Sequence, residues 1–486
     1  MVARVYGERA VTSEMATCAV VGASGYVGGR LVEHLVARGT TVMALGRRID
    51  RIPEAGIRRA VDIADTAAAA AALSGVDTAY YLVHSMADGE DFAAQDRILA
   101  ESFSKAAAQA GVRRIVYLGA LGRGELSEHL RSRQETGRAL GSAGVEVVEL
   151  RAAIVVGAGS ISFEMLRYLT ERLPVMVCPR WITTRIQPIA ERDLLRYLEQ
   201  APHVPPGIYE IGGPEATTYR DMIATYAVVR GLRKRMILNV PVLTPTLSAH
   251  WVDLVTPVDP RVSHSLIESL TNDVVVEDPV PTATAFDVDP MGVAESIGAA
   301  LEEQAGRVAP TLMGLADGLR DGIYAMRSEA ELNQAEVSHA KDGLGRCGGD
   351  LRWYGLPWAW RARLLLGRPF SERLYLQRPP EVVLGADVDW WQVEVKSADT
   401  LVLGTRKWFC GEAWLGYRVT DPPHSRMEQV GALRPKGLLG VAYWRALWPV
   451  HRVVFRAMCR RRAGQARVRR ATDADDLNKH QAKSSS

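Results

Sequence analysis

The sequence predicts an α/β chain: a Rossmann-type, doubly wound parallel sheet, followed by an α+β helix-grip-like domain with an antiparallel sheet. Three observations predict it. In the first third, short unbroken apolar runs alternate with segments of helical length, as strands covered on both faces require. The glycines of Gly22-Ala23-Ser24-Gly25-Tyr26-Val27-Gly28 stand between the first such run and the first helix. In the last third, tryptophans concentrate and period-2 alternation replaces helical spacing.

Residues 18–21 read as a buried strand. Val27, Leu31, Val32, Leu35 and Val36 recur at helical spacing behind them. Gly22 permits the tight turn out of the strand, Gly25 lets the backbone approach a pyrophosphate, and Gly28 lets the helix pack close to the sheet. The helix N-terminus presents unpaired N–H groups and a positive dipole end to the phosphates. After a strand at 41–45 come Gly46, Arg47 and Arg48, where an NAD-selective site carries an acid. Two guanidinium groups suit a 2′-phosphate, so NADP is expected in preference to NAD; a solvated basic turn is the alternative.

A third strand is expected at 57–63, with Asp62 and Ile63 at its end beside the adenine. A helix at 66–73 leads to a fourth strand at 78–83. Leu82, Val83 and His84, with Ser85, then fall at the carboxyl edge of the sheet, where open α/β sheets bind ligands. Helices at 91–110 and 128–142 precede strands at 115–118 and 145–150. The cofactor-binding candidates are thus Gly22, Ser24, Gly25, Tyr26, Val27, Gly28, Arg47, Arg48, Asp62, Ile63, Leu82, Val83 and His84.

The 486 residues suffice for two or three domains, and the net charge of +3 implies no polyanion-binding field. No nucleic-acid motif and no metal-ligand spacing is present. The five cysteines are scattered and odd in number, which argues for a reducing, cytoplasmic setting and against a disulfide framework. No apolar signal region and no run long enough to span a bilayer is found. The expected organisation is a leader at 1–14, with Met15 a candidate start, and a Rossmann domain with a small substrate lobe at 15–300. A linker at 301–349, a helix-grip-like domain at 350–462 and a basic disordered tail at 463–486 follow. The proline-rich stretch 240–260 is assigned to the substrate lobe.

Gly22-Ala23-Ser24-Gly25-Tyr26-Val27-Gly28-Gly29, Asp62-Ile63, Leu150-Arg151-Ala152-Ala153-Ile154-Val155-Val156-Gly157 and Gln187-Pro188-Ile189-Ala190-Glu191-Arg192-Asp193 resemble the atypical short-chain dehydrogenase/reductases. The NmrA-like and epimerase-like branch is nearest. The resemblance covers about residues 16–230 and implies an NADP- or NAD-binding Rossmann fold. It also implies a Tyr-x-x-x-Lys pair, in which lysine lowers the tyrosine pKa for proton transfer. Here His129 stands at the tyrosine position and Arg133 at the lysine position, and the family's serine falls near Gly119-Ala120. The catalytic candidates are therefore His129, Arg133 and His84. This pair is not expected to reproduce the family's relay. His129 can donate a proton near neutrality, or it is a surface histidine without chemistry.

In the last third, Trp391, Val393 and Val395 alternate with polar residues, as do Leu415, Tyr417 and Val419. A helix at 438–462 follows, with Arg445, Arg452, Arg456 and Arg460 on one side and Val450, Val453, Val454 and Ala457 on the other. Asp387-Val388-Asp389-Trp390-Trp391, Trp414-Leu415 and the run from Arg434 to Trp444 resemble a domain of unknown function fused behind such dehydrogenases, similar to the START-like lipid-transfer fold. The alternating faces need a cover, and the helix is the long candidate nearby, so an apolar cavity is expected between strands and helix, opened where Pro449 kinks it, with Tyr417, Arg418 and Gln429 as its polar groups. The basic C-terminus reads as a solubilising tail or as a peripheral contact with anionic lipid.

The expected function is an NADP-dependent oxidoreductase acting on an apolar small molecule. A non-catalytic NADP(H)-binding sensor or scaffold is the alternative, and a nucleotide-sugar epimerase or dehydratase is the third reading.

Overall fold

The structure, a computed structural model, describes residues 17–484 apart from 85–91, 179, 240–268, 270, 321, 350–356, 359–360, 362–375 and 409. The expected leader, Met15, Ser85 and the proline-rich stretch 240–260 lie outside the described residues. The chain divides into two compact units: residues 1–169 with 175–300, and residues 170–174 with 301–486.

The first unit is built on strands β1 (Thr17–Val21), β2 (Thr41–Gly46), β3 (Ile57–Ala60), β4 (Thr78–Tyr81), β5 (Arg114–Ala120), β6 (Glu146–Ala152) and β7 (Gly207–Ile211). They lie in the order β7-β6-β5-β4-β1-β2-β3, every pairing parallel. Six of these strands follow the sequence reading; β7 adds a seventh beside β6. The connecting helices are α1 (Tyr26–Ala37), α2 (Thr66–Ala72), α3 (Phe92–Gln109) and α4 (Glu128–Leu140), and α5 (Glu191–Gln200) packs against α1.

The unbroken apolar character of β1 has a direct cause. Cys18 and Val20 point into one core with Leu31, Val32 and Leu35 of α1, while Ala19 and Val21 point into the other with Leu45, Phe103 and Tyr117. The strand order reverses between β1 and β4, and that switch point opens a crevice at the carboxyl ends of the two strands.

The strand expected at 57–63 ends at Ala60. The Val61 N–H turns to the Gly46 carbonyl at 3.1 Å, and the Asp62 carboxylate accepts from the Ala64 N–H at 3.1 Å. This aspartate turn competes with the strand ladder and closes β3 early.

The second unit carries β8 (Gly318–Arg320), β9 (Ile323–Glu331), α6 (Val337–Leu344), β10 (Asp387–Val388), β11 (Trp391–Lys396), β12 (Thr400–Trp408), β13 (Gly411–Thr420), β14 (Arg426–Pro435) and α7 (Gly437–Ser484). Its sheet runs β8-β9-β14-β13-β12-β11-β10, antiparallel throughout. One face lies under α7 and α6, with Trp391, Leu415, Tyr417 and Leu433 against Trp444, Val454 and Met458. The other face is covered by Val308, Leu312 and Met313.

Four expectations for this region are corrected. Residues 301–349, read as a linker, supply β8, β9 and α6; β9 lies beside β14, second from the edge of the sheet. Residues 463–486, read as a disordered tail, continue α7 through Ser484, and Ala463 and Ala466 are core residues. Val450 and Val453 are exposed at 44 % and 62 %, because the buried line of α7 runs through Trp444, Val454, Met458, Arg462 and Ala466. Val395 leaves the face of Trp391 and Val393, because a β-bulge between Val393 and Val395 shifts the register and turns it to the opposite core. Pro449 lies inside α7 on its exposed side. Beneath the helix the Phe455 ring stands over Gly431, at the point where a Cβ would lie 2.3 Å from it.

Candidate active site

The glycine turn leaves β1 with Gly22 at φ +86°, a left-handed conformation that L side chains rarely adopt. A Cβ there would also lie 2.5 Å from the Leu82 carbonyl oxygen, and one on Gly28 would lie 2.3 Å from the Gly22 carbonyl oxygen. The turn is thus pressed against the exit of β4 on one side and the first turn of α1 on the other. Gly25 occupies the N-cap of α1 and brings no side chain to the first-turn N–H groups. Those donors face the switch point without a side-chain cap, which fits a pyrophosphate in the manner of dinucleotide sites.

Tyr26 spends its side chain on the protein. Its hydroxyl donates to Glu191, which also pairs with Arg30 at 2.6 Å. Burial, then the Glu191 charge, holds the Tyr26 phenol well above its ordinary pKa. Only the backbone of Tyr26 remains for a cofactor.

Arg47 and Arg48 are exposed at the carboxyl end of β2. A Cβ on the preceding Gly46 would lie 3.5 Å from the Ser24 hydroxyl, so these arginines leave the strand alongside the glycine turn. Asp62 is exposed beyond β3. Ile63, in contrast, is buried in the core of Val21 and Leu45, so its side chain is structural.

The catalytic candidates come together in part. His84 follows β4, and its Nδ1 lies 2.9 Å from the carboxylate of Asp96 on α3. Its Nε2 lies 3.3 Å from Nδ1 of His129 on the first turn of α4. Burial pushes the His84 imidazole below its ordinary pKa, against the pull of Asp96. Burial, with the neighbouring His84 and Arg133 charges, pushes His129 down to about 3. Both rings are therefore neutral at pH 7, and the contact to Asp96 is an N–H···O hydrogen bond and not an ion pair.

The carboxylate can only accept, so Nδ1 of His84 carries the proton. Nε2 of His84 then accepts from Nδ1–H of His129, which leaves Nε2 of His129 as a lone pair. His129 is 8 % exposed, so it is not the surface histidine that its arginine-rich helix suggested.

Arg133, one turn along α4, donates to the Leu118 carbonyl and stacks over Tyr117 with its guanidinium carbon 5.0 Å from the ring centre. It stands at the carboxyl end of β5 but outside the hydrogen-bonded chain of Asp96, His84 and His129.

Sequence reasoning missed Asp96. A signal was present: Asp96, Ala100, Phe103 and Ala107 form one buried helical line, and an acid on such a line needs a partner.

A second recess, a cleft of about 520 Å³, is lined by Arg123, Arg131, Gln134, Arg138 and Arg151, with Gly122 and Leu126. Arg131, Gln134 and Arg138 share a side of α4 away from His129 and Arg133, as helical spacing requires. Among the described residues, no group of acids, histidines and cysteines is placed to hold a metal ion.

Residues 22–145 match a family described as NAD(P)H-binding. Residues 320–458 match a family described as a protein of unknown function (DUF2867). The first unit is an NAD(P)-binding Rossmann domain.

No curated protein matches the chain. Among solved structures, the Bordetella bronchiseptica enzyme WbmH in complex with NAD+ is 16 % identical, with a TM-score of 0.46 over 59 % of this chain and 98 % of that one. The enzyme WbmG of the same organism, in complex with NAD and UDP, is 18 % identical, with a TM-score of 0.47 over 60 % and 94 %. A nucleoside-diphosphate-sugar epimerase from Staphylococcus aureus is 16 % identical, with a TM-score of 0.47 over 58 % and 100 %.

Proposed function

We propose that the first unit is an NADP(H)-dependent oxidoreductase in which His129, backed by His84 and Asp96, handles the substrate proton. The chain from Asp96 through His84 to His129 carries this reading. Bound at the switch point, the nicotinamide would take or give the hydride. His129 Nε2 accepts the hydroxyl proton of an alcohol substrate. Its Nδ1 proton then moves to His84, whose own Nδ1 proton shifts toward Asp96. Positive charge thus ends beside a carboxylate and not beside the substrate. Asp96 is a positioning residue, because it sets both tautomers without reaching the reacting atoms. Arg47 and Arg48 support NADP over NAD.

The START-like resemblance belongs to the same proposal. A long helix laid over an apolar sheet face supports an apolar substrate, although Phe455 at Gly431 fills part of that space.

The arginine-lined cleft favours a second reading, a nucleotide-sugar epimerase or dehydratase, since forked guanidinium groups suit a diphosphate.

The test is turnover in fractionated metabolite extracts, followed by nicotinamide absorbance, for wild type and Asp96→Asn. Loss of roughly 10²–10⁴-fold in kcat with NADPH affinity unchanged is expected of a disabled acid–base chain. Equal rates in the two proteins would remove the chain from the mechanism. NADPH binding without turnover of any fraction would leave a sensor.

A further inference from the structure

The second unit holds a cleft of about 720 Å³ at the edge of β9, lined by Asp317, Arg327, Ser328, Glu329, Arg456 and Arg460, with residues 314–316. Its acids are already engaged. Asp317 accepts from the Arg327 N–H at 2.5 Å, and Glu329 lies 3.4 Å from Arg426 and 3.7 Å from Arg327. Arg327 also donates to the Met313 carbonyl and lies 3.4 Å from Glu428. Arg456 and Arg460, one turn apart on α7, are exposed and have no ion-pair partner among the described residues. Two guanidinium groups at that spacing suit a dianion.

The inner wall adds a second, independent observation. Ser328 is 6 % exposed and lines the cleft, and its hydroxyl has no hydrogen-bond partner among the described residues. Directly across the ladder, behind Ser328 and outside the lining of the cleft, Gln429 is fully buried, and neither its amide oxygen nor its amide nitrogen has a partner among the described residues. Side chains opposite each other on paired strands stand on one face and within reach of a shared group. Buried polar groups in folded proteins are nearly always satisfied, so two adjacent orphans beside an open cleft mark a place for a polar ligand.

We propose that this cleft binds a phosphate monoester bearing hydroxyl groups. Its phosphate meets Arg456 and Arg460, and its hydroxyls meet Ser328 and Gln429. The amide of Gln429 supplies one acceptor and two donors, and the Ser328 hydroxyl serves as either. The same chemistry is offered by a soluble phosphate ester and by a lipid headgroup.

The test uses the full chain. Glycerol 3-phosphate and inorganic phosphate are titrated by calorimetry, and vesicles of phosphatidylcholine with and without phosphatidylinositol 4-phosphate by co-sedimentation. Cooperative melting of the second unit, followed by tryptophan fluorescence, confirms that each variant is folded. Binding that Arg456→Gln/Arg460→Gln weakens at least tenfold is expected. Such binding in solution assigns a soluble ester, and on phosphatidylinositol 4-phosphate vesicles alone a lipid headgroup. Gln429→Leu should weaken glycerol 3-phosphate more than inorganic phosphate and should raise the Tm of the ligand-free protein. If neither phosphate probe nor the vesicles bind wild type more tightly than the double arginine variant, the proposal fails. A lower Tm for ligand-free Gln429→Leu would equally overturn it, by showing that the fold itself satisfies the amide.

Discussion

Both units are organised on seven-stranded sheets, and the two sheets differ in where they place charge. In the parallel sheet β1, β2 and β4 carry no charge, and the pairs Arg114–Glu146 and Arg151–Glu149 are confined to β5 and β6 on one side. Chemistry collects beyond their carboxyl ends, where Asp96, His84 and His129 form one chain. In the antiparallel sheet charge sits within the ladder and is neutralised there. Glu428, 1 % exposed, lies 2.5 Å from Arg418 and 3.0 Å from Arg426, while Arg434 and Glu412 pair at 2.9 Å. The buried carboxylate of Asp96 thus faces a histidine at the candidate site, whereas the buried charges of the second sheet belong to its ladder.

The largest expected effect tests that contrast. Glu412→Gln leaves the buried Arg434 without its carboxylate and should cost about 3–5 kcal/mol, read as a lower denaturation midpoint for the second unit. Asp96→Asn should leave the stability of the first unit nearly unchanged; comparable losses would erase the distinction.

A smaller effect is expected at the cofactor. Arg47→Ala removes a charge-assisted contact of about 1.5–3 kcal/mol and should weaken NADPH binding roughly ten- to a hundredfold while sparing NADH. Equal affinities of wild type for the two cofactors, by calorimetry, would dismiss Arg47 as a selector.

Next comes pH. The folded His129 has a pKa of about 3, below the ordinary value near 6.5, so the unfolded chain binds the proton first. Its contribution is fully present above about pH 6.5 and is lost as pH falls toward 3, with a slope of up to about 1.4 kcal/mol per pH unit. The His84 shift has the same sign. His129→Asn should flatten this acid limb in pH-dependent melts of the first unit, and an unchanged slope would place the titration elsewhere.

The smallest difference concerns the bulge. Val393→Thr buries an unpaired hydroxyl and should cost about 1–3 kcal/mol, whereas Val395→Thr, half-buried in the other core, should cost less than about 1 kcal/mol. A chevron series that ranked them equal would argue against the shifted register.

Much of the first unit was legible because its signals are local. The glycine spacing and the unbroken runs of β1, β2 and β5 each occupy a few consecutive residues. His84 and His129 were legible as residues but not as a pair, since 45 positions separate them in sequence. In the second unit the local alternation of β11 and β13 was readable. The role of 301–349 was not, because β9 gains its meaning only from β14, a distant partner. The phase of α7 also misled: valines and arginines can be sorted into two sides of a helix in more than one way, and only the sheet beneath selects which side is covered.

The pairing of β9 with β14 has a consequence during synthesis. Tyr324 and Ala325 leave the ribosome with their partners Leu433 and Ala432 still untranslated. At roughly 5–20 residues per second, a strand whose partner lies about a hundred residues downstream waits on the order of 5–20 s for it. The first sheet closes when β7 is made and can be complete by then. The second cannot form its middle until almost the whole chain exists, and α7, which covers one face, comes last of all. Nascent chains arrested just after β9 would therefore carry a finished dinucleotide fold trailing the short β8–β9 hairpin with one long edge of β9 unpaired, a substrate for chaperones and a point at which truncation becomes aggregation.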